Sequence, residues 1–425
     1  MAPRIVVVGC GVAGTAAAWS AARTGASVTV VGDFDGASRF MSGALDFQSW
    51  EEDDPRREVA GDARAFCDAI GLWRIGDRAA CVATPWGIVR PARGHDRAVL
   101  DLAASGVRRV AVVRADRPDW DADLLAAAWR DDPWCVSRAM RFEPVSVDIV
   151  DGDRERWMPD AELAALLDDD VRCRDVARRL RDGTRGFDAV LTGPWLGIDT
   201  DAAAVISREA SRPVGEALSL LASSAGLRFT RARDRLLSAV GVTASRGTVA
   251  EVIASGRGVI VRLQAEADAI ECDAVVLATG GLAGGGILYD PSEMDVAPEM
   301  PAAPRDPFAS SVRSDAVLAF EGRPVSIVGS MFGLDLARLT WPSSAHASWA
   351  LDTLCYVTRD HACVDRDGRV LQGVWAAGQV ASPRALGVLG AVESGVLAGR
   401  SAARSVSGSG HGSVRLDFVS TPRTS

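Results

Sequence analysis

The 425-residue chain contains no lysine and no asparagine, and it has only two tyrosines and four histidines. Without lysine, neither a Schiff-base amine nor a lysine general base is open to it. Both missing residues have AT-rich codons, so a GC-rich coding sequence explains the pair without any functional cause. Basic charge is also short: 47 arginines face 56 acidic residues, for a net charge of −9. That balance excludes a general nucleic-acid binder, which needs a basic stripe. The eight cysteines (Cys10, Cys67, Cys81, Cys135, Cys173, Cys272, Cys355 and Cys363) form no CxxC and no zinc or iron–sulfur spacing. No metal site is expected, and any iron–sulfur cluster taking electrons from this protein belongs to another chain. Scattered cysteines in an enzyme-sized chain fit a reducing cytoplasm. No apolar run reaches the roughly 18 residues of a membrane span, so membrane association is expected only peripherally, through a partner. The apolar N-terminus lacks a cleavage site, and its glycines have a better use than a signal peptide.

What is present is a large apolar fraction, 48%, and 42 glycines. The length suits two joined α/β domains. Arg4 to Val8 reads as a buried parallel strand, followed by a glycine-rich turn, an alanine-rich helix over Thr15–Thr24 and a second strand over Ser27–Val31. An acidic helical stretch over 51–80 follows. Strands at 110–113, 144–150 and 187–191 alternate with helices at 121–130, 159–167 and 201–209, which implies a parallel layer. Val249–Ala254 and Val259–Leu263 read as a β-meander, and Cys272–Ala278 as a further buried strand. The expected class is α/β: a Rossmann-like dinucleotide-binding domain with a parallel sheet, a β-meander and an inserted α/β layer. The expected domains are a discontinuous cofactor-binding domain (1–80 and 226–425) and an inserted α/β domain (81–225), with a mobile polar tail over 405–425.

Three elements carry the cofactor expectation. Gly9-Cys-Gly11-Val12-Ala13-Gly14 is a G-x-G-x-x-G between strand and helix. Its glycines allow a tight turn, backbone approach to a pyrophosphate and close helix–strand packing, while the helix N-terminus favours the negative charge. The carboxylate that ordinarily holds the ribose is missing: its position is Gly32, with Asp33 next to it as the substitute. Ala278-Thr279-Gly280-Gly281 is the strand end that returns to the cofactor. Gly378-Gln379 and Gly390-Ala391-Val392 form a strand end and a helix start that direct N–H groups at a flavin.

The sequence resembles the B subunit family of the three-subunit anaerobic glycerol-3-phosphate dehydrogenase. The resemblance rests on Ser38-Arg-Phe-Met-Ser42-Gly43-Ala-Leu-Asp46, on Thr84-Pro-Trp-Gly87-Ile-Val-Arg90, on the Pro194-Trp-Leu-Gly197 turn, and on their order along nearly the whole chain. It implies a flavoprotein with FAD, or FMN as the alternative, working beside a catalytic FAD subunit and an iron–sulfur subunit and passing electrons to quinone. It also implies a small-molecule substrate, glycerol 3-phosphate or similar. The C-terminal Gly390-Ala-Val-Glu-Ser-Gly395 departs towards fumarate-reductase-like flavoproteins, which leaves two alternatives: a flavoenzyme acting on another hydroxy or amino acid, and a non-catalytic electron-transfer or assembly subunit. Ser42 and Gly43 are expected beside the flavin. Arg90 is the candidate for an anionic substrate group, and His346 the candidate substrate-side histidine. His95, His411 and the Arg228–Arg235 run read as solvated surface. The 12 tryptophans fit either core packing or an interface.

Overall fold

The structure is a computed structural model, and it describes residues 2–32, 36–47, 61–220, 224–255, 258–263, 269–280, 357–364, 370–381 and 387–407. Asp33, Gly281, His346 and His411 lie outside the described residues.

The chain opens with β1 (Arg4–Val8), α1 (Val12–Arg23) and β2 (Ser27–Val31), followed by β3 (Ala44–Phe47), α2 (Gly61–Ile70), β4 (Trp73–Arg74), β5 (Ala80–Ala83) and β6 (Val89–Asp96). A parallel layer comes next: β7 (Arg109–Arg114), α3 (Ala122–Asp131), α4 (Pro133–Ser137), β8 (Arg141–Ser146), α5 (Gly152–Arg156), α6 (Asp160–Leu166), α7 (Asp170–Gly183), β9 (Ala189–Thr192), α8 (Ala202–Ala210) and β10 (Val214–Glu216). After α9 (Ser224–Ala239) come β11 (Thr243–Ser245), β12 (Val249–Ser255), β13 (Gly258–Leu263), β14 (Ala269–Cys272) and β15 (Ala274–Leu277). The last described elements are β16 (Ala362–Val364), β17 (Val370–Ala376) and the C-terminal helix Val388–Ser407.

The chain divides into two compact units, residues 1–37 with 236–425, and residues 38–235. In the first unit a six-stranded sheet has the order β11-β2-β1-β15-β17-β16, parallel except for the β16–β17 pair. Its β1 reads Ile-Val-Val-Val because four successive residues are buried, as a strand covered on both faces requires. The expected meander is β12-β13-β14, three antiparallel strands. The final helix runs through Ser407, two residues past the start of the expected tail, and the remainder of that tail lies outside the described residues.

The second unit holds a parallel sheet of order β10-β9-β7-β8 and an antiparallel one of order β3-β6-β4 with β5 on β6. Tryptophans fill its core: Trp120 meets Trp195 edge-on at 5.5 Å, and Trp129 lies 6.2 Å from Trp120. Core packing therefore explains these three, whereas Trp86 and Trp157 remain about 70% exposed.

Four expectations change. The boundaries expected at 80 and 225 fall at 37 and 235 instead. The cause is strand pairing: β3 and β4 both hydrogen-bond to β6 and so join the second unit. Of the acidic helix expected over 51–80, residues 51–60 lie outside the described residues; α2 ends at Ile70 because Gly71 takes φ +65° and Trp73 enters the sheet opposite Asp96. His95 is buried, at 7% exposure, since it sits in β6 between Ala44 and Arg74. The Arg228–Arg235 run is part of α9, and its periodicity turns Arg228 inward with Phe229, Ala232 and Leu236.

Candidate functional site

The glycine turn after β1 is packed backbone against backbone. Gly9, at φ +112°, donates its N–H to the Val31 carbonyl at 2.8 Å, and Ala278 N–H donates to the Val8 carbonyl at 2.8 Å. A Cβ on Gly9 would stand 2.2 Å from the Ala278 carbonyl oxygen, and one on Gly14 would stand 1.9 Å from the Gly9 carbonyl oxygen. Only glycine fits either position. Helix α1 starts from Gly11 with no side-chain cap and no acidic residue in its first turn. A helix N-terminus left this way attracts an anion such as a pyrophosphate.

Two later segments reach the same place. Ala278 ends β15, and Thr279 and Gly280, the latter at φ +87°, follow it. Gly378, at φ +75°, comes so near α1 that a Cβ there would stand 2.8 Å from the Ala13 Cβ. Its N–H donates to Ser394 Oγ at 2.9 Å, and Gln379 continues the turn. The C-terminal helix lies directly on α1: a Cβ on Gly395 or Gly399 would strike the Ala13 or Ala17 carbonyl oxygen at 2.2 and 2.1 Å. Ser20 Oγ donates across the same contact to the Val396 carbonyl at 2.9 Å. The structure thus brings Gly9, Gly11, Val12, Ala13, Gly14, Ala278 and Gly378 to one cradle. Gly390, Ala391 and Val392 lie in the first turns of the helix behind it, which begins at Val388.

The sequence signal for this helix pair was readable. Gly395-x-x-x-Gly399 faces Ala13-x-x-x-Ala17, small residues four apart on both helices, the spacing that lets two backbones approach. Ser394 lies inside the Gly390–Gly395 segment, but its role shows only in three dimensions. At Gly32 a Cβ would stand 2.4 Å from Cys10 Sγ, so a ribose-holding side chain there would have to displace that thiol.

Ser42, Gly43 and Arg90 belong to the second unit. Gly43 has φ +98°, and a Cβ on it would stand 2.9 Å from a Val99 methyl. Asp96 N–H donates to the Gly43 carbonyl at 2.6 Å, and Ser219 N–H to the Ser42 carbonyl at 2.8 Å. Beneath this strap lies a buried ionic cluster. Arg228 pairs with both oxygens of Glu216 (2.8 Å from Nη1 to Oε2), lies 3.6 Å from Asp96 and donates from Nε to the Gly197 carbonyl at 2.7 Å. All three side chains are at most 1% exposed. Burial pushes the Glu216 carboxyl up, opposed by Arg228, while the two carboxylates hold Arg228 above the ordinary arginine range against its own burial.

The Thr84–Arg90 segment is a tight hairpin between β5 and β6. Thr84 Oγ1 donates to the Ile88 carbonyl at 2.8 Å, and Trp129 Nε1 donates to the Thr84 carbonyl at 3.1 Å. Thr84 is therefore a structural tie. Arg90 is half-buried and donates from Nη1 to the Asp46 carbonyl at 3.4 Å. Burial lowers its pKa, with Asp46 opposing. Among the described residues no group of three metal-ligating side chains occurs, and no helix is long and apolar enough to cross a membrane.

Residues 4–184 match the model of the FAD dependent oxidoreductase family. No curated protein matches the chain. Among solved structures, a 3-ketosteroid-Δ4-(5α)-dehydrogenase from Rhodococcus jostii RHA1 is 14% identical, covering 95% of this chain and 96% of its own, with a TM-score of 0.34. A flavocytochrome c3 fumarate reductase is 12% identical over 95% of this chain and 78% of its own, with a TM-score of 0.36. An L-amino acid deaminase from Proteus myxofaciens is 15% identical over 67% of this chain and 47% of its own, with a TM-score of 0.26. The glycine cradle, tight against side chains at Gly9 and Gly14 and uncapped at its helix, fits a dinucleotide phosphate, and the matched segment contains its Gly9–Gly14 turn. Residues 4–184 are thus similar to the FAD dependent oxidoreductases, and the cofactor that this match assigns is FAD.

Proposed function

We propose that this chain is the flavin-bearing subunit of an oxidoreductase of the glycerol-3-phosphate dehydrogenase (quinone) type, working beside a catalytic FAD subunit and an iron–sulfur subunit. The observation that carries the reading is the Arg90–Asp46 contact. It joins the two segments of the resemblance, Ser38–Asp46 and Thr84–Arg90, on neighbouring strands β3 and β6. Neither segment needs the other for a hairpin, yet they converge on a half-buried cation.

FAD supplies a two-electron acceptor for the hydride of a secondary alcohol carbon. The glycine cradle would hold the pyrophosphate against the uncapped N–H groups at the start of α1. Arg90 holds the anionic end of the substrate; its guanidinium stays charged despite burial and presents a fork suited to phosphate. Ser42 supplies a hydroxyl beside the strap, and His346 takes the alcohol proton as the ketone forms. An iron–sulfur partner would supply the path for the electrons to quinone. A carboxylate would suit Arg90 as well, so hydroxy acids and amino acids are the competing substrates.

The test uses the complex purified with its flavin. Anaerobic glycerol 3-phosphate should bleach the visible flavin absorbance, and Arg90→Ala should raise KM for it by at least about tenfold, the loss of one charge-assisted contact. A fully flavinated complex that glycerol 3-phosphate leaves oxidised, while a hydroxy or amino acid reduces it, would replace this substrate with the other.

A further inference from the structure

His361 lies just before β16, and its backbone has φ +61°. That conformation suits glycine and is disfavoured for a residue with a side chain. The turn that imposes it is closed by His361 N–H donating to the Thr358 carbonyl at 3.0 Å and Asp360 N–H donating to Thr358 Oγ1 at 3.3 Å. A glycine would hold the same turn without strain, so the ring is the part that needs a reason.

The ring and backbone of His361 grip one residue of β17 from both sides. Ala376 N–H donates to the His361 carbonyl at 3.0 Å, and His361 Nδ1 lies 2.9 Å from the Ala376 carbonyl oxygen. A carbonyl oxygen only accepts, so Nδ1 carries the hydrogen. The same nitrogen lies 3.4 Å from Ser394 Oγ, which accepts the Gly378 N–H at 2.9 Å. One residue further on, Ala377 N–H donates to the Leu277 carbonyl at 2.8 Å. Every hydrogen bond in this set leads to the Gly378 backbone that stands on Ala13 in the first turn of α1.

We propose that His361 is a positioning residue for the cofactor site: its ring clamps Ala376 and Ser394, and so keeps the Gly378 backbone seated against Ala13 at the mouth of the dinucleotide cradle. The strained turn is what aims the ring at β17. Burial lowers the His361 pKa, so the ring is neutral at pH 7 and the Nδ1–H donor is retained without a charge beside the cradle. The inference rests on the cradle being the FAD site.

The test compares wild type, His361→Gly, His361→Asn and Ser394→Ala in the full chain, by hydrogen exchange over residues 370–381 and by FAD titration of the apoprotein. His361→Gly relieves the backbone, so its melting temperature should hold or rise. Its Ala376 and Gly378 amides should nevertheless exchange about tenfold faster and its FAD affinity fall about tenfold, the worth of one to two hydrogen bonds. Asparagine tolerates the same φ and carries an amide donor, so His361→Asn should recover most of both. Ser394→Ala should speed exchange at Gly378 and not at Ala376. Wild-type exchange and affinity in His361→Gly would overturn the proposal, as would a folded His361→Asn no better than His361→Gly. Should His361→Gly not fold, unchanged Gly378 exchange in Ser394→Ala overturns it. Faster exchange in a protein that takes up no FAD, wild type included, would support the clamp and sink the cofactor reading instead.

Discussion

Both units run a parallel strand into a glycine-bearing turn and then a helix. After β1, the turn leads to α1 through Gly11, with no side-chain cap and no acidic residue in the first turn. After β9, the turn Gly193–Thr200 leads to α8, and there the protein answers its own amides. Asp168 accepts the N–H groups of Ile198, Asp199 and Thr200 at 3.1, 3.1 and 2.9 Å, and the Thr200 hydroxyl at 2.8 Å. Glu216 takes the Leu196 N–H, and the Trp195 ring fills the space over Gly193, 2.3 Å from where a Cβ would be. Each turn offers donors that favour negative charge. The first leaves the charge to FAD, and the second supplies it from carboxylates of the same unit. Glycines at a strand–helix junction therefore announce a ligand only when no nearby carboxylate reaches the turn.

The comparison breaks most sharply at Gly14. A Gly14→Val side chain begins 1.9 Å from the Gly9 carbonyl oxygen, so the purified variant should carry no flavin absorbance; a yellow protein would show that the cradle is not the site. Next in size is Glu216→Ala, which leaves the buried Arg228 with Asp96, at 3.6 Å, as its remaining carboxylate partner. Stability should fall by about 3–5 kcal/mol in urea unfolding; a loss under about 1 kcal/mol would mean that water reaches the cluster. Third, Asp168→Ala strips the partner from three amides and a hydroxyl, with an expected loss of about 1–3 kcal/mol. Added phosphate should raise the melting temperature of this variant more than that of the wild type. Equal responses would contradict the view that Asp168 stands where an anion would bind.

The smallest effect is shared by the two units, because among the described residues His361 is half-buried in the first and His95 is buried in the second. Burial lowers both pKa values, so both rings stay neutral in the fold. Below about pH 6.5 the unfolded chain protonates at both rings while the folded chain does not. Stability should therefore fall as pH drops from about 6.5 and level off once the depressed folded values are passed. Replacing His95 with glutamine should flatten part of that slope; an unchanged profile would assign the pH dependence to other groups.

Local pattern made the first unit legible and left much of the second obscure. The βαβ unit, the meander and the Ala278 and Gly378 strand ends follow from apolar runs and glycines a few residues apart, so short-range pattern reaches them. Helix α7 was equally accessible, since Cys173, Val176, Ala177 and Leu180 form a clean inner face, but its arginines and aspartates mask that stripe. The reading of Arg228 as surface fails for a different reason. Its partners Glu216 and Asp96 lie 12 and 132 residues away in sequence, and nothing local marks an arginine for burial. Asp46 and Arg90 met across a sheet for the same reason, by pairing of strands that no turn connects.

Gly32 and Cys10 are coupled through space. The first atom of any side chain at 32 would stand 2.4 Å from the Cys10 sulfur, so Gly32→Glu has to turn that thiol aside before a carboxylate can reach towards a ribose. Removing the thiol lifts that cost, so Gly32→Glu should be tolerated better in a Cys10→Gly background than alone. The thiol at the second position of the glycine turn thus sets what an acidic anchor at 32 would cost.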